Sequence, residues 1–382
     1  MSEAEPAIPF IQLHSPDVGR EEMEAVERVL ASGWLGKGGE TTRFVEEFAC
    51  HLGVEAGTIA TVPSCSEALF HAVQLLDLAP GDEVVLPTIS FVAAAQAVLA
   101  ASAIPVLCDV DSRSLNAAPD HLMAAISPRT RAVVLLHYGG VPCDMEGILP
   151  LLRERGIALI EDAACSPASR VGGKACGTLG DMGVWSFDSA KVLTMAEGGA
   201  LCVASPELRE RLRPRLQLGL ASVPGVLSPR SSRWWEFDVH TAGRKAQISD
   251  IAATMGRVQL RRLPELLARR QKVHARYRAR LASVPWMVLP PELPAGVVQS
   301  YYLFWIQVAA PVRDALAAYL RSHGVYTAYY YHPLHRTSLF RSAGRYPGAD
   351  EAAERTLCLP AHSRLSQDDV ERICDLIARF EA

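Results

Sequence analysis

Through the first two-thirds of the chain, short apolar runs alternate with stretches whose apolar residues recur every three or four positions. Strands are predicted at Thr58–Val62, Glu83–Pro87, Pro105–Val110, Arg131–His137, Ala158–Glu161, Gly183–Phe187 and Ala200–Ala204. Within them AVVLL and IALI are apolar without interruption, the pattern of strands covered on both faces of a parallel sheet. The helical period runs through Glu21–Ser32, Ser66–Leu75, Phe91–Ala101 and Met145–Arg155. Strand, helix, strand at this spacing predicts an α/β fold: one large, mostly parallel sheet between two layers of helices.

From Ser249 the pattern changes. SDIAATMGRVQLRRL and PELLARRQKVHARYRARLASV predict two helices, broken or kinked at Pro264. A proline-rich stretch follows, then a strand in YYLFWIQVAA and a helix in RDALAAYLRSHG. QDDVERICDLIARFEA closes the chain as an amphipathic helix, apolar at Val370, Ile373, Leu376, Ile377 and Phe380. The division expected is a large domain over 1–262 and a smaller α+β domain over 263–382. The segment Ala221–Ser232 reads as a mobile loop.

Charge and composition narrow the class. The 382 residues carry 38 Lys and Arg against 42 Asp and Glu, a net charge of −4. That balance argues against a nucleic-acid partner, which calls for a concentrated basic face. The longest apolar stretches, such as Val92–Ala101, are too short to span a bilayer. The acidic start MSEAEPAIPF does not read as a secretory signal. Nine scattered cysteines with no CxxC pair read as reduced thiols of a cytoplasmic protein. Eleven histidines show no HExxH or other metal spacing, so no metal site is expected. No GxGxxG follows a strand, which sets aside a dinucleotide-binding dehydrogenase. Primary amines are scarce: Lys37, Lys174, Lys191, Lys245 and Lys272 are the candidates.

Three stretches carry candidate chemistry, where an open α/β sheet would gather ligands at its carboxyl edge. PSCSEALFHAV follows the first strand. Its helix start offers amides and the hydroxyls of Ser64 and Ser66 to a phosphate, and Ser64-x-x-Glu67 equally fits a capping box. ALIEDAACS places Asp162 just past an apolar strand, as a ligand-facing carboxylate, a cap or an ion-pair partner. Glu161, one residue earlier, points the opposite way. GVWSFDSAKVLTMAEGGALCVAS holds Lys191 in a polar turn between two apolar strands, near Gly198 and Gly199, which let the chain pass close to a neighbour. A lysine so placed either reaches solvent from its loop or serves as a Schiff-base amine. Phosphate turn, carboxylate and lysine together match pyridoxal phosphate, which needs a Schiff-base lysine and a carboxylate on its pyridinium nitrogen.

On these motifs the chain resembles the DegT/DnrJ/StrS family of pyridoxal-phosphate sugar aminotransferases, which have the aspartate-aminotransferase type of fold. The likeness runs end to end, through EEMEAVERVLASGWLGKGGETTRFVEEFA, PGDEVVLPTISFVAAAQAV, VLLHYGGVPCDME, IEDAACS, GTLGDMGVWSFDSAK, GRKAQISDIAATMGRVQL, GVYTAYYYHPLHRTSLF and LCLPAHSRLSQDDVERI. It implies a homodimer with shared active sites, moving an amino group from an amino acid, L-glutamate, to a keto sugar carried on a nucleotide. Lys191 would hold pyridoxal 5'-phosphate, release it as pyridoxamine phosphate and shuttle the proton. Asp162 would pair with the ring nitrogen and Phe91 would stack on the ring. Ser64, Cys65, Ser66 and Ser186 would hold the phosphate, and Gln247 would reach that of the neighbouring subunit. Trp34, Tyr330, Tyr331 and His335 fall where substrate would sit. Three positions depart from the family pattern. Ser64-Cys65-Ser66 replaces the usual Ser-Gly-Thr, Cys165 replaces a Gln that meets the ring hydroxyl, and Tyr330 replaces a His. The alternatives are a keto-cyclitol or other ketone acceptor, a dehydratase, and a non-catalytic regulatory relative. Retention of Lys191 and Asp162 favours transamination.

Overall fold

Seven strands form the central sheet, in the order Ile59–Val62, Gly199–Val203, Met182–Ser186, Ala158–Asp162, Thr130–Leu136, Glu83–Pro87 and Ile104–Cys108. This is a computed structural model, and it describes residues 10–220, 237–342 and 344–381. The expected mobile loop Ala221–Ser232 lies outside the described residues. All seven strands stand where the apolar runs predict them, each within two residues of its expected bounds. Their side chains alternate between two helical layers, as a period of two requires. Val84, Leu86, Ala132, Val134, Ile160 and Val184 pack with residues of the helices Cys65–Leu75 and Ala93–Ala100. Val85, Val133, Leu135 and Leu159 pack with residues of the helix Met145–Glu154.

One reversal in this sheet builds the site. Gly199–Val203 runs antiparallel to both its neighbours, whereas the remaining pairs are parallel. Its first residue therefore lies at the edge where the strands ending in Val62, Asp162 and Ser186 finish. Gly199 stands directly opposite both Val62 and Ser186.

The second unit is an antiparallel sheet of Met287–Val288, Phe304–Val308 and Thr356–Leu359, with the helices Ala310–Ser322 and Gln367–Arg379 packed in the same core. Ile11 belongs here too, pairing with Val325. Of the break or kink expected at Pro264, the break is absent: a single helix runs from Asp250 to Leu281. Proline removes one N–H from the ladder, but both halves of the helix are held by packing. The first half lies against the helices Arg20–Ser32 and Gly39–Leu52. Val273, Tyr277 and Leu281 of the second half lie in the core of the smaller sheet. The expected boundary at 262/263 thus falls inside a continuous helix. Among the described residues, no helix is long and apolar enough to cross a membrane.

The helix Gly39–Leu52 has no side-chain cap of its own. Its cap comes from Asp250, whose carboxylate accepts from the amides of Gly38 (2.8 Å), Glu40 (3.1 Å) and Thr41 (2.9 Å) and from the Thr41 hydroxyl (2.7 Å). A Cβ on Gly38 would lie 2.7 Å from that carboxylate, so the position is glycine for space.

Candidate active site

At the carboxyl edge of the large sheet lies a cavity of about 310 Å³. Ser64, Cys65, Ser66, Phe91, Asp162, Ser186 and Lys191 line it from the sheet side, and Tyr302, Tyr330 and Tyr331 from the other unit. Each gets there by a local rule. Ser64 is the extended N-cap of the helix Cys65–Leu75, its hydroxyl accepting from the Glu67 amide at 3.2 Å. The cap reading holds, but the reciprocal half of a capping box does not form. The Glu67 carboxylate is turned to His71 and Arg244, both at 3.1 Å. Gly199 lets the reversed strand lie on this helix start: a Cβ there would sit 2.5 Å from the Ser64 carbonyl carbon and 2.6 Å from the Cys65 nitrogen. Ser64, Cys65 and Ser66 of this helix start line the cavity, and a helix start suits an anion.

Asp162 ends its strand buried, with one oxygen accepting from the Ala164 amide at 3.1 Å. Burial raises its pKa, and the Ala164 bond and the charge of Lys191 only partly offset this. Glu161 faces the other side, as the alternation required. It accepts from the amides of Gly177 (2.9 Å), Leu179 (2.6 Å) and Gly180 (2.7 Å) and pairs with His137 at 3.0 Å.

Lys191 is carried on a turn pinned by bonds of its own amide to Asp188 (2.9 Å) and of the Met195 amide to Phe187 (2.8 Å). Val192, Leu193 and Met195 bury themselves beside it. Its Nζ lies 3.6 Å from Cys165 Sγ and 3.5 Å from the Tyr302 hydroxyl. Burial disfavours the ammonium, while the Cys165 sulfur and the Tyr302 oxygen within reach of Nζ offer it acceptors. Cys165 in turn lies 3.9 Å from the Tyr331 hydroxyl, and burial holds both thiols, Cys65 and Cys165, in the protonated form.

Three expected residues lie elsewhere in the chain. His335 bonds Thr88 Oγ1 (2.8 Å) and Asp350 (3.1 Å) and stacks on Tyr346, tying a loop rather than lining the cavity. Trp34 is 63% exposed, its indole donating to the Lys37 carbonyl at 3.1 Å. Gln247 donates to Gln217 at 3.2 Å and borders a separate groove with Lys37, Thr41 and His240. Conversely, Tyr302, Asp188 and Glu197 line the cavity without having been expected there. Tyr302 sits in an apolar run that reads as a strand, and nothing in that run marks it as facing a ligand.

The chain belongs to the DegT/DnrJ/EryC1/StrS aminotransferase family, which it matches over residues 16–378. It is an aminotransferase. Among its relatives is the dTDP-4-dehydro-2,3,6-trideoxy-D-glucose 4-aminotransferase of Saccharopolyspora spinosa, 46% identical over 367 residues, covering 96% of this chain and 95% of that one. The spore coat polysaccharide biosynthesis protein SpsC of Bacillus subtilis (strain 168) is 31% identical over 378 residues, covering 96% of each. The crystal structure of the aminotransferase TlmJ from Streptoalloteichus hindustanus superposes with a TM-score of 0.92 at 49% identity, covering 96% of this chain and 98% of that one.

Proposed function

We propose that this chain transfers an amino group from L-glutamate to a nucleotide-linked keto sugar, using pyridoxal phosphate held at Lys191. One observation carries the proposal: Lys191 and Asp162 face the same cavity, which is floored by a helix start. Those residues fit the cofactor. The helix start at Ser64, Cys65 and Ser66 lines the cavity where a phosphate would sit, and Asp162 is a buried carboxylate on the same cavity, placed to pair with a ring nitrogen. When bound, the cofactor supplies an aldehyde for amine exchange and an electron-withdrawing ring. Lys191 binds it and moves the proton at Nζ. Asp162 holds the ring-nitrogen proton, Phe91 and the tyrosines exclude water, and Ser64, Cys65, Ser66 and Ser186 orient the phosphate. Relatives named for sugar substrates support the choice of acceptor.

The charge of the cavity supports a shared site in a homodimer. Among the described lining residues, Asp162, Asp188 and Glu197 face a single cation, Lys191. A phosphate dianion and the carboxylates of the donor call for more donors and cations than this lining holds. Gln247 and Trp34, outside their own cavity, are the candidates to serve the neighbour's.

The test has two parts. Borohydride reduction of the yellow protein should fix the adduct on Lys191, and glutamate with dTDP-linked keto sugars should release 2-oxoglutarate. In Asp162→Ala the Lys191 adduct should persist while turnover falls by roughly 10²–10⁴, the scale of a positioned proton-linked group. An adduct on another lysine, or near-normal turnover in Asp162→Ala, overturns the assignment.

A further inference from the structure

Tyr302 has two contacts with Lys191 that the amino-transfer roles above leave unused. Its hydroxyl lies 3.5 Å from Nζ, and Nζ also sits 4.5 Å from the centre of its ring. His14 stacks on this ring in parallel, with centres 5.2 Å and planes 4° apart, and stacks also on Tyr330 at 5.7 Å. Both His14 nitrogens are buried and have no partner among the described residues. The backbone is fixed as well. The buried Arg270 donates to the carbonyls of Tyr301 and Tyr302 (3.4 Å each) and of Ala361 (2.6 Å).

We propose that Tyr302 is a positioning residue for Lys191, its phenol oxygen and ring face together stabilising the lysine as an ammonium, with His14 as an uncharged backing for the ring. The inference rests on the reading of Lys191 as the amine that exchanges with substrate. A phenol oxygen accepts from an ammonium, and an aromatic face attracts a cation most when both are desolvated. Tyr302 stays neutral over the working range, since burial pushes its pKa up to about 12. His14 adds no opposing charge, because burial and then Arg270 push its pKa down to about 3. The other groups facing Lys191 come from several elements. Asp162 and Cys165 approach from the strand end and the loop after it, and Cys65 from the helix start. Asp188 and Glu197 come from the turn that carries the lysine, and Tyr330 and Tyr331 from the second unit. Tyr302, unlike these, meets Nζ with both an oxygen and a ring. Each time the lysine is displaced it must take up a proton and return it, and the stability of its ammonium sets how strongly it does so.

Three full-length proteins decide the point: wild type, Tyr302→Phe, which keeps the ring, and Tyr302→Leu, which loses ring and oxygen. In the cofactor-free chains, acetic anhydride labelling of Lys191, mapped by mass spectrometry across pH, reports the neutral amine. The midpoint should fall by about half to one and a half pH units in Tyr302→Leu, the size one cation–π contact supports, with Tyr302→Phe between. In the holoenzymes, single turnover with L-glutamate should slow roughly three- to tenfold in Tyr302→Phe, with half-saturating glutamate little changed. If Tyr302→Leu does not fold, Tyr302→Phe decides alone. A wild-type protein giving no borohydride adduct at Lys191 would overturn the functional reading itself. An adduct in all folded proteins with one common labelling midpoint would overturn the role of Tyr302.

Discussion

Glu161 and Asp162 are adjacent carboxylates in one strand, yet the sheet gives them opposite surroundings. Glu161 is surrounded by amide donors and His137, and so ties the loop at 177–180 to the strand. Asp162 has one amide and an open cavity, and burial raises its pKa. Side-chain alternation alone separates a structural carboxylate from a chemical one. The histidines show the same control by burial. His274 is buried between Tyr301 and Phe304, edge-on to both at 5.1 Å, and burial followed by Arg270 and Arg278 pushes its pKa down to about 3. A depressed histidine pKa means that the unfolded chain takes up a proton near pH 6.5 while the folded chain refuses it. Stability from this group is therefore complete above about pH 6.5 and is lost as pH falls toward 3, by about 1.4 kcal/mol per pH unit. Urea unfolding at pH 7, 6 and 5 should show the loss in wild type. His274→Leu should show a slope smaller by about one proton, and identical slopes would mean that His274 is protonated in the folded chain.

At the scale of elements, the helix Gly39–Leu52 depends on a residue from far along the chain. Asp250 satisfies its first amides and at the same time opens the helix Asp250–Leu281. Asp250→Ala strands those donors and removes a charge that suits a helix start, so a loss of about 2–4 kcal/mol in unfolding free energy is expected. A loss below about 1 kcal/mol would show that water replaces the carboxylate. This cap also shows what the sequence hid. The seven strands were legible because continuous apolar runs are a local signal, and Ser64, Asp162 and Lys191 because each sits at the end of a strand or in the turn that follows or joins one. The helix at Gly39 was not foreseen, since its cap lies 209–212 residues away. Pro264 misled for a related reason: tertiary packing on both halves outweighs a local helix breaker. Tyr302 reaches Lys191, and His14 stacks behind Tyr302, from elements with no sequence mark of a site, so only the folded chain brings them together.

At the scale of the whole molecule, the question is whether one chain makes a complete site. Its cavity gathers three carboxylates and one lysine among the described lining residues, a poor match for a phosphate and a dicarboxylic donor. Gln247 stands just before the helix Asp250–Leu281, on a groove apart from that cavity, its side chain donating to Gln217 at 3.2 Å. In a two-fold dimer each groove that meets the neighbour's cavity does so twice, so one glutamine per chain serves both sites. Subunit mixing tests this directly. Lys191→Ala is expected to be inactive and Gln247→Ala clearly impaired in cofactor binding. In a dimer of one chain of each kind, shared sites place both lesions in one cavity and leave the other with an intact lysine and an intact glutamine. Co-refolding the two variants should then restore about half of wild-type activity per mixed dimer. If Gln247 serves its own chain, every site of the mixed dimer carries one lesion, and activity stays at the average of the parents. Activity no higher than that average would assign Gln247 to its own subunit and leave the further phosphate donor to be found elsewhere.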